Sequence, residues 1–98
     1  MLIDFVKLHI GEALGEVAKN YSEKYLDKVP KISFNQLVED IFNCMSGYFT
    51  RDAWPSVKYI IHTMLLDKKT LDGIMNVIKG MMAIHSFDFE KSSEIIKY

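Results

Sequence analysis

The feature that most constrains the fold is an apolar stripe that recurs at three- and four-residue steps from Leu2 almost to Tyr98. This spacing places apolar side chains on one face of an α-helix, whereas a half-buried strand would alternate them. Capping residues separate the stripe into segments. We therefore expect one all-α domain over residues 1–98, a compact helical bundle of four main helices plus a short C-terminal helix.

The first predicted helix covers residues 2–27 and ends before Pro30, because proline disfavours helical geometry in the residue that precedes it. At about 1.5 Å per residue it would be close to 39 Å long, more than a small domain needs for its own core. One end could therefore project or pair with another copy. Its predicted core residues share one face: Ile3, Val6, Ile10, Leu14, Val17, Tyr21 and Tyr25.

The second predicted helix has the clearest start signal. Ser33 and Gln36 form a capping box, and Ile32 and Leu37 occupy the positions of a hydrophobic staple. The single cysteine, Cys44, lies beside the apolar face and is expected to be a small buried hydrophobe. The predicted core face comprises Phe34, Leu37, Val38, Ile41, Phe42, Met45, Tyr48 and Phe49.

The remaining helices have weaker boundary signals. The third begins within residues 52–55, where proline fits the first turn, and the fourth covers residues 71–85 after a cap at Asp67 or Thr70. The fourth is apolar on many sides, which is typical of a central helix. A short fifth helix is predicted to begin at Ser86 or Asp88 and to carry Phe89, Ile95, Ile96 and Tyr98.

The composition favours a protein partner. With 98 residues and 49% hydrophobic residues, the chain has little interior in which to bury its apolar side chains, so some of them are expected to face a partner. The net charge is −1, which provides no long-range attraction to nucleic acid or anionic lipid. Arg51 is the only arginine among 12 basic residues, a bias that AT-rich coding DNA produces and that suggests a phage or mobile element.

Neither a metal site nor a catalytic site is predicted. His9, His62 and His85 lie on three different predicted helices without a second ligand at helical spacing, so we expect no metal, no cofactor and no enzymatic activity. Asp4 and Lys7 interrupt the apolar N-terminal stretch, and no run of about 18 uncharged apolar residues occurs. The expected location is the cytoplasm, without membrane binding.

A stripe of small residues on the first helix is the predicted self-association site. Gly11, Gly15 and Ala18 leave a smooth strip along which another helix could approach closely. The fourth helix carries Gly73 and Gly80 in a similar arrangement. Two interpretations follow: the first and fourth helices pack together within one chain, or the first helix pairs with its counterpart in a homodimer.

The predicted partner-binding site lies between the second and third helices. Tyr48, Phe49, Arg51 and Trp54 place three aromatic side chains and the only arginine around one junction. Tryptophan, tyrosine and arginine often anchor protein interfaces. A single tryptophan near a loop is more commonly a core residue that closes the end of a bundle, so both interpretations are open.

These features predict a small non-catalytic protein-interaction module of the inhibitor, immunity-protein or complex-subunit type, which acts through an apolar helical surface as a homodimer. The alternative is a dimeric nucleic-acid-binding regulator. That alternative is weaker, because residues 71–85 offer few polar side chains for base edges. The third possibility is an enzyme whose site forms only in the tertiary fold.

Overall fold

Four α-helices form most of the protein in the computed structural model, which describes residues 1–90. Their order follows the apolar stripe, and a 3₁₀ turn separates the second helix from the third. The elements are α1 (Leu2–Tyr25), β1 (Lys31–Ser33), α2 (Phe34–Met45), the 3₁₀ turn (Ser46–Tyr48), α3 (Trp54–Leu66), α4 (Lys68–Met82) and β2 (Asp88–Glu90).

β1 and β2 form a two-stranded parallel sheet, which corrects the prediction of an entirely α-helical fold. Ile32 pairs with Phe89, and the backbone N–H of Asp88 donates to the carbonyl of Pro30 at 2.8 Å. The predicted helix start at Ser86 or Asp88 is therefore wrong for residues 88–90. Half-buried and exposed residues alternate along residues 87–90, which is the period of a strand. The rest of the predicted fifth helix lies outside the described residues.

α1 is the central helix, because it packs most extensively on the rest of the bundle, chiefly on α4 and α2, whereas α3 also contacts the other three helices but less extensively. The prediction that α4 is central is wrong: α4 buries a single stripe, while Val77 and Met81 are 43% and 52% exposed. The buried residues of α4 are Leu71, Ile74 and Ile78. Those of α1 are Val6, Ala13, Leu14, Val17, Ala18 and Tyr21.

The predicted start of α2 is confirmed. The backbone N–H of Gln36 donates to Ser33 Oγ at 3.1 Å, and the staple residues Ile32 and Leu37 are both buried. The side chain of Gln36 donates to Asp40 Oδ1 at 2.8 Å instead of returning to the cap, so only half of the capping box forms. Asp40 also accepts a hydrogen bond of 2.6 Å from the Tyr21 hydroxyl, which joins α2 to α1.

α3 begins at Trp54 with Pro55 in its first turn, as predicted. Asp67 rather than Thr70 caps α4, because the Asp67 carboxylate accepts hydrogen bonds from the Thr70 N–H at 3.0 Å and the Thr70 hydroxyl at 2.8 Å. α4 therefore begins and ends three residues before the predicted positions. Among the described helices, none is long and apolar enough to cross a membrane.

Both α1 and α4 end at a non-glycine residue with positive φ. Leu26 has φ 48° and Ala83 has φ 55°, a region in which a Cβ atom is crowded. The Leu26 N–H donates to the Ser22 carbonyl, and the Lys28 N–H donates to the Tyr25 carbonyl. This turn ends α1 at Tyr25, two residues before the predicted position and well before Pro30.

Candidate functional site

Three large apolar side chains lie exposed on one face at the start of α1, one of them on the N-cap residue Met1. Met1, Phe5 and Leu8 are 88%, 53% and 66% exposed. Steps of four and three residues place them on one helix face, opposite the buried face that includes Val6 and Val17. Ile3, which was predicted to be a core residue, is also 38% exposed, on another face of the helix. The central helix of the protein therefore presents an apolar face to solvent as well as a buried face to the core.

Tyr48 extends this exposed face. Its ring stacks on His9 with centroids 4.6 Å apart and remains 41% exposed. The Glu12 carboxylate, which accepts a hydrogen bond from the Tyr48 hydroxyl, raises the pKa of Tyr48. Tyr48 contacts His9 and Glu12, which lie one helical turn after Phe5 and Leu8, respectively. Tyr48 therefore adjoins the exposed apolar side chains.

Two glycines continue the same face toward the middle of α1. Apart from the adjacent residues and the neighbouring backbone of α1 itself, a Cβ atom built on Gly11 or Gly15 would meet no atom within 4 Å among residues 1–90. The same holds for Gly73 and Gly80. The interpretation that α1 and α4 pack together within one chain is confirmed, but the glycines do not form that contact within the described part of the chain. We use the term outer α1 surface for Met1, Phe5, Leu8, Gly11, Gly15 and Tyr48.

The predicted self-association stripe is divided between surface and core. Gly11 is exposed and Gly15 is half-buried with an open Cβ position, whereas Ala18 is 3% exposed and contributes to the core. Self-association through the two glycines stays a prediction. Ala18 could contribute to it only indirectly, because its side chain is already covered within the chain.

The predicted partner-binding residues are also divided. Tyr48 joins the outer α1 surface, Arg51 is exposed, and Phe49 is half-buried with its ring edge-to-face on His9 at 5.8 Å. Trp54 is half-buried and packs edge-to-face on a core phenylalanine at 5.9 Å, the arrangement of a residue that closes the end of the bundle. Partner binding by these four residues stays a prediction.

The sequence analysis missed five residues of this region: Met1, Phe5, Leu8, His9 and Glu12. A signal for the first three was present, because Met1, Phe5 and Leu8 repeat at steps of four and three residues on the face opposite the core stripe. No local signal identified His9 and Glu12, since both contact Tyr48, which lies far away in sequence.

Two groups with raised pKa values, Tyr21 and Cys44, lie close together between α1 and α2. A cleft of about 150 Å³ between α1 and α2 is lined by both Tyr21 and Cys44. Burial raises the pKa of Tyr21, with the Asp40 hydrogen bond adding to the shift. Burial, followed by Glu16 and Asp40, raises the pKa of the half-buried Cys44 thiol to about 11. Both groups therefore keep their protons at neutral pH, so this thiol is a poor nucleophile.

Metal-binding groups are dispersed. Within residues 1–90, no three histidine, cysteine, aspartate or glutamate side chains lie close enough together to hold a metal ion. His62 is buried in α3 beside the ring of Phe34, and burial lowers its pKa. A buried neutral imidazole packed on an aromatic ring is typical of a core residue.

A further cleft, of about 510 Å³, lies between residues 26–30 and residues 82–86. It lies at the ends of α1 and α4 and includes both positive-φ residues, Leu26 and Ala83. The positive φ values cost conformational energy, but helix ends also adopt this geometry for purely structural reasons. The outer α1 surface therefore remains the stronger candidate for a functional site.

The geometry thus defines a small, mostly helical protein with an exposed apolar surface on its central helix. No family model matches the chain, and neither the curated proteins nor the solved structures include a significant match. The function must therefore be inferred from the residues of this chain.

Proposed function

We propose that this protein is a small non-catalytic protein-interaction module that acts through the outer α1 surface. The observation that carries this proposal is the exposure of Met1, Phe5 and Leu8 on one face of the helix that also organises the core. Full burial of a leucine, phenylalanine or methionine contributes about 1.5–3 kcal/mol relative to exposure, so covering these exposed side chains provides a substantial driving force for association.

The charges around this surface favour a protein partner over nucleic acid. Asp4 and Glu12 flank the apolar side chains, and Lys7 is the nearest basic residue on this half of α1. Nucleic-acid binding depends on several cations that neutralise phosphates, which this mixture does not provide. An inhibitor, an immunity protein or a complex subunit works by covering a surface of another protein, and a compact apolar face suits that task.

Charge substitution on the outer α1 surface tests the proposal. The wild-type chain and the Leu8→Glu variant would serve as immobilised baits in lysate of the organism that encodes the chain. Tyr59→Glu is the matched control, because Tyr59 is 67% exposed on α3. Circular dichroism would first establish that both variants are folded.

We expect the wild type and Tyr59→Glu to retain the same specific protein and Leu8→Glu to lose it, because a carboxylate would have to be desolvated in the interface. Retention of the same protein by all three baits would contradict the proposal. If the retained protein is the chain itself, self-association is the function of the surface.

A further inference from the structure

We draw no further inference here: the strongest candidate, the exposed apolar face at the start of α1 formed by Met1, Phe5 and Leu8, belongs to the site already described, and nothing in the described part of the chain shows what covers it.

Discussion

Asp67 sets the start of α4 through its carboxylate. The Thr70 N–H and the Thr70 hydroxyl both donate to Asp67 Oδ2, at 3.0 Å and 2.8 Å. These hydrogen bonds favour the ionised form and hold the pKa of Asp67 below its ordinary value of 3.8. The Asp67 carboxylate therefore takes up a proton at a higher pH in the unfolded chain than in the folded chain. The ionised carboxylate stabilises the folded chain fully above pH 3.8, and this stabilisation is lost as the pH falls through the lower pKa of the folded state.

Asp67→Asn should remove this pH dependence, because asparagine is an equally good cap that does not titrate. We expect the free energy of unfolding of the wild type, relative to the variant, to be constant near neutral pH and to fall in acid below pH 3.8. Urea unfolding at a series of pH values measures this difference. Thr70→Val removes one donor and should reduce the effect. A difference that does not change with pH would show that the ionised Asp67 carboxylate does not stabilise the folded chain.

At the residue scale, signals that act within one helical turn were readable from the sequence. Ser33 and Asp67 each accept a hydrogen bond from the backbone N–H three positions along the chain. Spacing alone predicted the cap at Ser33, whereas it left Asp67 and Thr70 as alternatives for the start of α4. The stacking of His9 on Tyr48 joins two segments that are far apart in sequence, and no local spacing encodes it. The predicted site was incomplete for this reason.

At the scale of elements, the end of α4 carries a strain that a substitution can relieve. Ala83 follows the helix with φ 55° and ψ 42°, a left-handed conformation that glycine adopts without a Cβ penalty. Ala83→Gly should therefore raise the free energy of unfolding by about 1 kcal/mol, measured by urea unfolding. Ala53→Gly is the control, because Ala53 has φ −80° and glycine there only adds flexibility to the unfolded chain. Destabilisation by Ala83→Gly would show that the left-handed conformation of Ala83 is not a source of strain.

The prediction of elements failed where the tertiary fold decided the outcome. The four α-helices follow from the three- and four-residue periodicity, but β1 and β2 have three residues each and pair across most of the chain. The burial of α4 was overestimated because apolar residues such as Val77 and Met81 were assumed to be covered, and both are largely exposed. Composition alone does not distinguish a buried apolar face from an exposed one.

At the scale of the whole molecule, α1 contributes both to the core and to the surface. Its length of about 36 Å nearly equals the longest dimension of the described molecule, 39 Å, and it contacts all three other helices. A short chain that builds its core around one such helix leaves the outer face of that helix uncovered. Association through this face would bury apolar side chains that a domain of this size cannot cover by itself.

Hydroxyl-radical footprinting of the wild-type chain, at low and at high protein concentration, shows directly whether the outer α1 surface becomes covered. We predict that oxidation of Phe5, Leu8 and Tyr48 decreases at high concentration, because a second copy shields these side chains. Tyr59 and Met81, which are 67% and 52% exposed on other helices, should be oxidised equally at both concentrations. Unchanged oxidation of Phe5 and Leu8, or protection confined to Met81 on α4, would contradict association through the outer α1 surface.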